Sequence, residues 1–360
     1  MGNDHTKTSK RKDEHISICL QEDVQAAGIS TGLERWRFKH NPLPNIDFQD
    51  IDISTMIFNK KVSTPLLISS MTGGTELAFR INQQLAIAAQ ERGWSLALGS
   101  MRAAVENEEL AYSFQMRKFA PTIPIIANVG LVQLNYGVTN DQCLRLVELA
   151  QADALVFHMN SMQEVFQPEG DTNFSDLLRK LETVIKQTDI PIGVKEVGWG
   201  IDGETAKALQ NIGVQFIDVA GAGGTSWSQV ERYRTSSKIQ YAAASSFADW
   251  GLSTADSIRE VTVKASQCLI IGSGGLHTGV DAAKAIALGA HVAGFGRSLL
   301  PHAVQSIDDD SVSIQQFTSP KQFSLLQQLE KIEYELKVAM FGIGAGTISQ
   351  LEKHDRLIRQ

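Results

Sequence analysis

One pattern recurs eight times between Pro65 and Arg297 and leaves few folds open: a short apolar run, an exit rich in glycine or polar residues, then an amphipathic stretch. Short apolar runs suit strands buried on both faces, and the stretches between them suit crossover helices. The runs are PLLISSMTGG from Pro65, SLALGSMR from Ser95, IPIIANVG from Ile123, ALVFHMN from Ala154, IPIGVKEV from Ile190, FIDVAGAGG from Phe216, CLIIGSGG from Cys268 and HVAGFGR from His291. At a spacing of roughly 30 residues they predict an α/β fold, a closed (β/α)8 TIM barrel, with no free sheet edge. An open doubly wound sheet is the alternative. It favours GxGxxG after the first strand, where the chain reads MTGGTE.

Local signals agree with the repeat. Leu77, Ile81, Leu85 and Ala88 share one helical face that Gly93 ends, and Thr139 with Gln142 forms a capping box. Ser175 is expected to cap the next helix, with Leu178, Leu181 and Ile185 inward. Asp202, Ser253 and Thr278 read as further N-caps, and Gly213 and Gly289 as C-caps. The division expected is 1–64 as N-terminal arm and lid, 65–300 as barrel, and 301–360 as a helical extension with Leu325, Leu329, Ile332 and Leu336 on one stripe. Met1 to Lys10 reads as a polar, mobile start. The connection from Thr225 to Leu252, about 28 residues, greatly exceeds the usual two to six and reads as a lid or substrate loop.

A net charge of -7 argues against a general nucleic-acid binder, so an anionic ligand has to be met by local charge. The three cysteines are scattered, without the spacing of a zinc site or a disulfide framework. The first residues, MGNDHTKTSKRKDEH, do not read as a secretory signal and no run of about 18 apolar residues appears, so the expected location is cytoplasmic, away from membranes.

Barrel enzymes work at the C-terminal ends of their strands. Here those ends carry Met71 and Thr72, Ser100 and Arg102, Asn128, His158 and Asn160, Lys195 and Glu196, then the turns GAGG, GSGG and GFGR. Glycines at consecutive strand ends let backbone N–H groups close on a phosphate, with the helix after Thr278 adding its positive end. Lys195 suits an ion pair with Glu196 or Glu164, a cofactor anion, or a Schiff base. Ser70, Thr72, Ser100 and Asn128 are small groups able to hold a flat heterocycle, which favours the cofactor. Glu164 can take Mg2+ bridging to a phosphate or simply be solvated. RKDEH at Arg11, with Arg35, Arg37, Lys39 and His40 following, is either a solvated face or an arm bringing cations to a phosphate.

RKDEH, MTGG, GSMR, ANVG, HMNSMQE with QPEGD, VKEVGWG, GAGGTSW and GSGGL together resemble the flavin-dependent type 2 isopentenyl-diphosphate isomerases, from about Arg11 to the C-terminal helices. The resemblance implies an FMN-binding barrel that interconverts isopentenyl and dimethylallyl diphosphate with reduced FMN and Mg2+, uses NAD(P)H as reductant, and assembles as a tetramer or octamer. It implies Gln163 as the catalytic residue at the alkene and Glu164 as the metal ligand. Substrate would be bound by Arg11, Lys12, His15, Ser100, Arg102, His158, Asn160 and Gln163. FMN would be held by Ser70, Met71, Thr72, Gly73, Ser100, Asn128, Lys195, Ala220, Thr225, Gly274, Gly275, Leu276, Ala293 and Gly294. Ala220 stands where the family often has serine, and His277 where arginine is frequent. A 2-hydroxy acid oxidase would need a histidine base and an arginine after the sixth strand, and a dehydrogenase of the inosine-monophosphate type a cysteine there; GAGGTSW has none of these. A non-catalytic phosphate- or flavin-binding barrel is the reading from another class.

Overall fold

The computed structural model describes residues 4–307 and 323–360. Eight parallel strands close into a barrel in chain order: β1 (Leu66–Ile68), β2 (Ser95–Ala97), β3 (Ile125–Gly130), β4 (Ala154–His158), β5 (Ile192–Lys195), β6 (Phe216–Asp218), β7 (Leu269–Ser273) and β8 (Val292–Phe295), with β8 pairing back to β1. Alternation along each strand divides its residues between two cores. Leu67, Ala97, Ile126, Val156, Phe216 and Ile271 fill the barrel, while Leu66, Ile68, Leu96, Ile125, Leu155 and Ile217 pack on the helices. Gly193 in β5 makes room for the Phe216 ring, which a β-carbon there would approach to 2.3 Å.

The expected helices form. Thr139 and Gln142 make the reciprocal capping box, and Asp202, Ser253 and Thr278 each cap a first turn. Gly93, Gly213 and Gly289 follow helix ends at positive φ, where a side chain is disfavoured. Ser175 is a correction: the helix is Leu177–Ile185, its N-cap is Asp176 at φ 59, and no side chain caps it. The inward face shifts by one residue, so Leu177 and Leu181 are buried and Leu178 is exposed.

Residues 4–64 serve both ends of the barrel. Asp4–Gln21 is a helix, where the sequence suggested a mobile start through Lys10; Met1–Asn3 lie outside the described residues. The hairpin of Thr55–Ile57 and Lys60–Val62 plugs the opposite, N-terminal mouth: Ile57 and Val62 join the barrel core, and Phe58 stacks 5.0 Å from Phe216. Burying two such side chains contributes about 1.5–3 kcal/mol each. At the other terminus, Leu325–Phe341 lays the stripe Leu325, Leu329, Ile332 and Leu336 onto the barrel's last helix, Gly279–Ala287. Gly279 permits that approach, since a β-carbon there would sit 2.0 Å from the Ile332 carbonyl oxygen. Leu357–Arg359 then pairs with Trp36–Phe38. Among the described residues no helix is long and apolar enough to cross a membrane.

Candidate active site

The C-terminal strand ends surround one deep cavity, and the N-terminal helix forms part of its wall. Arg11, His15 and Cys19 recur every four residues along that helix and, with Lys12 and Ile16, line the cavity. Three contacts dock the helix: Asp13 accepts from Thr75 Oγ1 at 2.8 Å, Glu14 pairs with Arg234 at 3.1 Å, and His15 Nε2 lies 3.0 Å from Glu231 Oε1. The His15 ring also meets Trp227 edge-on at 5.1 Å. RKDEH is therefore not a solvated face. Arg35 instead pairs with Asp256 at 2.5 Å, Arg37, Lys39 and His40 are exposed, and none of these four lines the cavity.

Of the other expected site residues, Ser70, Met71, Thr72, Ser100, Arg102, Asn128, His158, Asn160, Gln163, Glu164, Lys195, Ala220, Thr225, Gly274, Gly275, Leu276 and Gly294 all line this cavity. Gly73 and Ala293 do not. Gly73 gives space to the Phe114 ring, and Ala293 is fully buried in β8.

At the exit of β4, one polar chain fixes every member. Asn160 Nδ2 donates to Glu164 Oε1 at 2.8 Å and to Gln163 Oε1 at 3.2 Å, and Gln163 Nε2 donates to Glu231 Oε1 at 3.0 Å. Burial raises the Glu164 pKa, against the pull of the Asp171 amide and Asn160. Glu231 lies in the Thr225–Leu252 connection, which folds as two helices, Trp227–Arg232 and Lys238–Ser245. Its side chain is fully buried. Burial pushes its pKa up, but His15, Arg234 and Gln163 outweigh that and hold the carboxyl down at about 2. His15 is drawn below its ordinary value by burial, opposed by the bond to Glu231.

His158 Nδ1 shares a 2.9 Å bond with Asn128 Oδ1, while Asn128 Nδ2 donates to the Leu98 carbonyl at 3.1 Å. The proton accordingly sits on Nδ1, and Nε2 is the atom left for the cavity. Burial, then Lys195, Lys12, Arg102 and Arg11, push the imidazole down to about 3. Lys195 Nζ donates to the Glu196 carbonyl at 2.5 Å and pairs with neither carboxylate the sequence offered. The Glu196 carboxylate is occupied by the amides of Val197, Gly198 and Trp199 at 2.6–2.7 Å. Burial still raises Glu196 to about 7.

At the far wall lie the glycine turns. Gly274 and Gly275 hold φ of 109° and 73°, and Gly224 packs so closely that a β-carbon would lie 2.5 Å from the Gly275 nitrogen. Ala220 keeps φ 36 at the same wall, a strained position of the kind that clusters at sites. The helix after Thr278 does not turn its amides to a ligand: Asp281 takes those of His277 and Thr278, and Glu335 that of Gly279. The turns, with Arg297 and Ser298 in the lining, remain as the wall whose backbone N–H groups could meet an anion. The hydroxyls of Ser69, Ser70 and Thr72 at the exit of β1 are buried without a partner among the described residues. Donors so placed, beside glycine turns and a lysine, fit FMN. Among the described residues no group of three or more acidic, histidine or cysteine side chains forms a metal cage; Mg2+ can be held by one carboxylate together with phosphate and water, and Glu164 could supply that carboxylate.

Sequence reasoning missed Glu231, Trp227, Arg234 and Arg297. Glu231 and Arg234 lie in the connection flagged for its length, Trp227 closes the GAGGTSW motif without a role assigned to it, and Arg297 stood at the end of a run singled out for its glycines.

The barrel and this mouth define the class of FMN-binding (β/α)8 proteins. A family profile described as FMN-dependent dehydrogenase matches residues 133–306. Among solved structures, a flavocytochrome b2 mutant with pyruvate bound superposes with TM-score 0.67 at 18% identity, over 96% of this chain and 82% of that one. A mandelate oxidase mutant gives TM-score 0.63 at 20% identity, over 99% of both. At such identity the likeness is of fold alone. Relatives of full length narrow the class. The isopentenyl-diphosphate delta-isomerase of Oceanobacillus iheyensis is 48% identical over 97% of this chain and 96% of its own, and that of a Nostoc species 45% over 99% and 97%. The chain belongs to the isopentenyl-diphosphate delta-isomerase family, in its FMN-dependent type 2 form.

Proposed function

We propose that the chain interconverts isopentenyl and dimethylallyl diphosphate, holding FMN against the glycine wall and Mg2+ on Glu164. One observation carries the reading: Arg11 and Lys12 line the cavity with no carboxylate in ion-pair range among the described residues. Two cations left unpaired at a partly buried mouth are costly unless an anion arrives, and a diphosphate supplies it. Arg11, Lys12 and Arg102 hold the diphosphate, with His158 Nε2, Asn160, Ser100 and His15 around it. Glu164 would supply the carboxylate for Mg2+, which would neutralise part of the diphosphate charge.

Gln163 lies at the alkene, its amide oriented from both sides by Asn160 and Glu231. It has no useful titration near neutrality, so its part is orientation. Reduced FMN, when bound, supplies the proton exchange that moves the double bond. The residues that hold it are Ser70 to Thr72, Ser100, Asn128, Lys195, Ala220, Thr225, Gly274 to Leu276 and Gly294, with Gly73 and Ala293 shaping the backbone behind them. NAD(P)H reduces the flavin. The protein works in the cytoplasm as a homo-oligomer, a tetramer or octamer; exposed Ile239 and Trp250, 82% and 55% accessible, are consistent with self-association.

Purified protein should be yellow and, once reduced anaerobically with Mg2+ present, should convert isopentenyl diphosphate to its isomer. A colourless preparation that neither binds added FMN nor turns over this substrate would remove the reading. Light scattering after gel filtration reads the assembly.

A further inference from the structure

The loop Gln167–Asp171 joins parts of the mouth that come from three strand exits. Gly170 lies so close to Glu164 that a β-carbon would sit 1.7 Å from the Glu164 carbonyl oxygen, and the Asp171 amide donates to Glu164 Oε2 at 2.7 Å. The Asp171 side chain reaches the other way. Its Oδ2 accepts from Arg102 Nη1, after β2, at 2.5 Å and from Gln133 Nε2, after β3, at 2.9 Å. Arg102 is gripped a second time through Nε, by Glu106 at 2.6 Å. A planar guanidinium fixed at Nε and Nη1 has one orientation, and Nη2 has no acceptor among the described residues.

We propose that Asp171 is a positioning residue that aims Arg102 at the diphosphate. The inference rests on the function proposed above and adds to it a residue that touches neither substrate nor cofactor. Arg102 stands in a cavity wall that also carries Arg11 and Lys12. Like charges so close repel, and an unrestrained arginine relaxes toward water. Asp171 opposes that relaxation from inside the wall, at 14% side-chain accessibility. Because the same residue holds Glu164 through its amide, the cation-binding carboxylate and the anion-binding guanidinium keep a fixed spacing. A cation-diphosphate complex, whose two charges are themselves at fixed separation, requires that spacing.

Calorimetric titration of the flavin-loaded full chain with inorganic pyrophosphate and Mg2+ tests this. Asp171→Asn should weaken binding roughly tenfold, Arg102→Met by about as much, and the double variant no further than Arg102→Met alone. Gln133→Met removes the neutral donor from the same oxygen and should bind normally, whereas a merely structural loop would lose as much as in Asp171→Asn. Arg102→Lys keeps the charge but cannot be gripped at two edges. It should bind weakly, and full affinity in that variant overturns the proposal even if Asp171→Asn does not fold. Additive losses, or normal binding by Asp171→Asn beside weak binding by Arg102→Met, overturn the proposal and leave the functional reading intact. Normal binding by Arg102→Met overturns both.

Discussion

Three donors crowd the carboxylate of Glu164: Asn160 on Oε1, and the Asp171 amide and Gln167 Nε2 on Oε2 at 2.7 and 3.3 Å. A carboxylate has about four acceptor positions, so the geometry leaves one for a cation. Glu164→Gln keeps the shape and loses the charge. Activity and the response to added Mg2+ should fall sharply, with FMN content near normal; an unchanged magnesium titration would remove the metal role. Lys12 gives a second test. Burial, with Arg11 and Arg102 alongside, lowers its pKa from 10.5 to about 8. Between about pH 8 and 10.5 the unfolded chain therefore binds more protons here than the folded one, so the cost of the buried ammonium is full below pH 8 and disappears as pH rises. Pyrophosphate affinity should move the opposite way, falling above pH 8 as the cation is lost. A Lys12→Arg variant should keep its affinity there; parallel pH profiles for the two proteins would exclude Lys12 from the anion site. Residue types with a built-in chemistry, His158, Glu164 and Lys195, were legible in the sequence. Glu231 was not, because its meaning comes from His15, 216 positions away.

Elements with their own periodicity were equally legible, and those that depend on a partner were not. The capping box at Thr139 is local chemistry and forms as read. Asp176 displaces Ser175 because the turn before that helix places Asp176 at φ 59, a choice set by the loop rather than by capping preference. The segment Asp4–Gln21 looked like a polar arm since its apolar residues are few. It has no glycine or proline to break a helix, and the barrel mouth supplies the surface that its Arg11, His15 and Cys19 face adopts. If this helix is the diphosphate clamp, Arg11→Ala should raise the Michaelis constant for isopentenyl diphosphate at least tenfold, in line with about 1.5–3 kcal/mol for a charged hydrogen bond. Flavin content and thermal midpoint should change little, because the FMN phosphate is proposed to sit at the Gly274–Leu276 turn and Arg297, which belong to a different wall of the cavity. Steady-state kinetics beside a flavin titration decide it. Normal substrate affinity, or loss of FMN instead, would refute the clamp.

At the scale of the whole molecule the barrel follows from repetition: eight similar units leave one way to pair every strand, and the two cores alternate as buried strands require. What repetition cannot encode is the closure of the two mouths, by the Thr55–Val62 hairpin at one end and the N-terminal helix at the other, since neither belongs to a unit. The site is consequently assembled from all eight strand exits and from the N-terminal helix, so its occupancy bears on the stability of the entire fold. A ligand that binds only the folded state stabilises it by RT ln(1 + [L]/Kd), about 2.7 kcal/mol at a hundredfold excess over Kd. For a chain of this size that corresponds to a rise of several degrees in thermal midpoint. Stripped protein titrated with FMN, at one fixed protein concentration, should show this rise. Lys195→Ala should show a smaller one, because the lysine's charge favours the bound anion and its removal weakens binding. Comparing the loaded and stripped forms of each protein cancels any effect of the substitution on the unliganded fold. An equal rise in Lys195→Ala would mean that the lysine is structural and lies off the flavin, and no rise in the unaltered protein would mean that the glycine wall does not hold FMN.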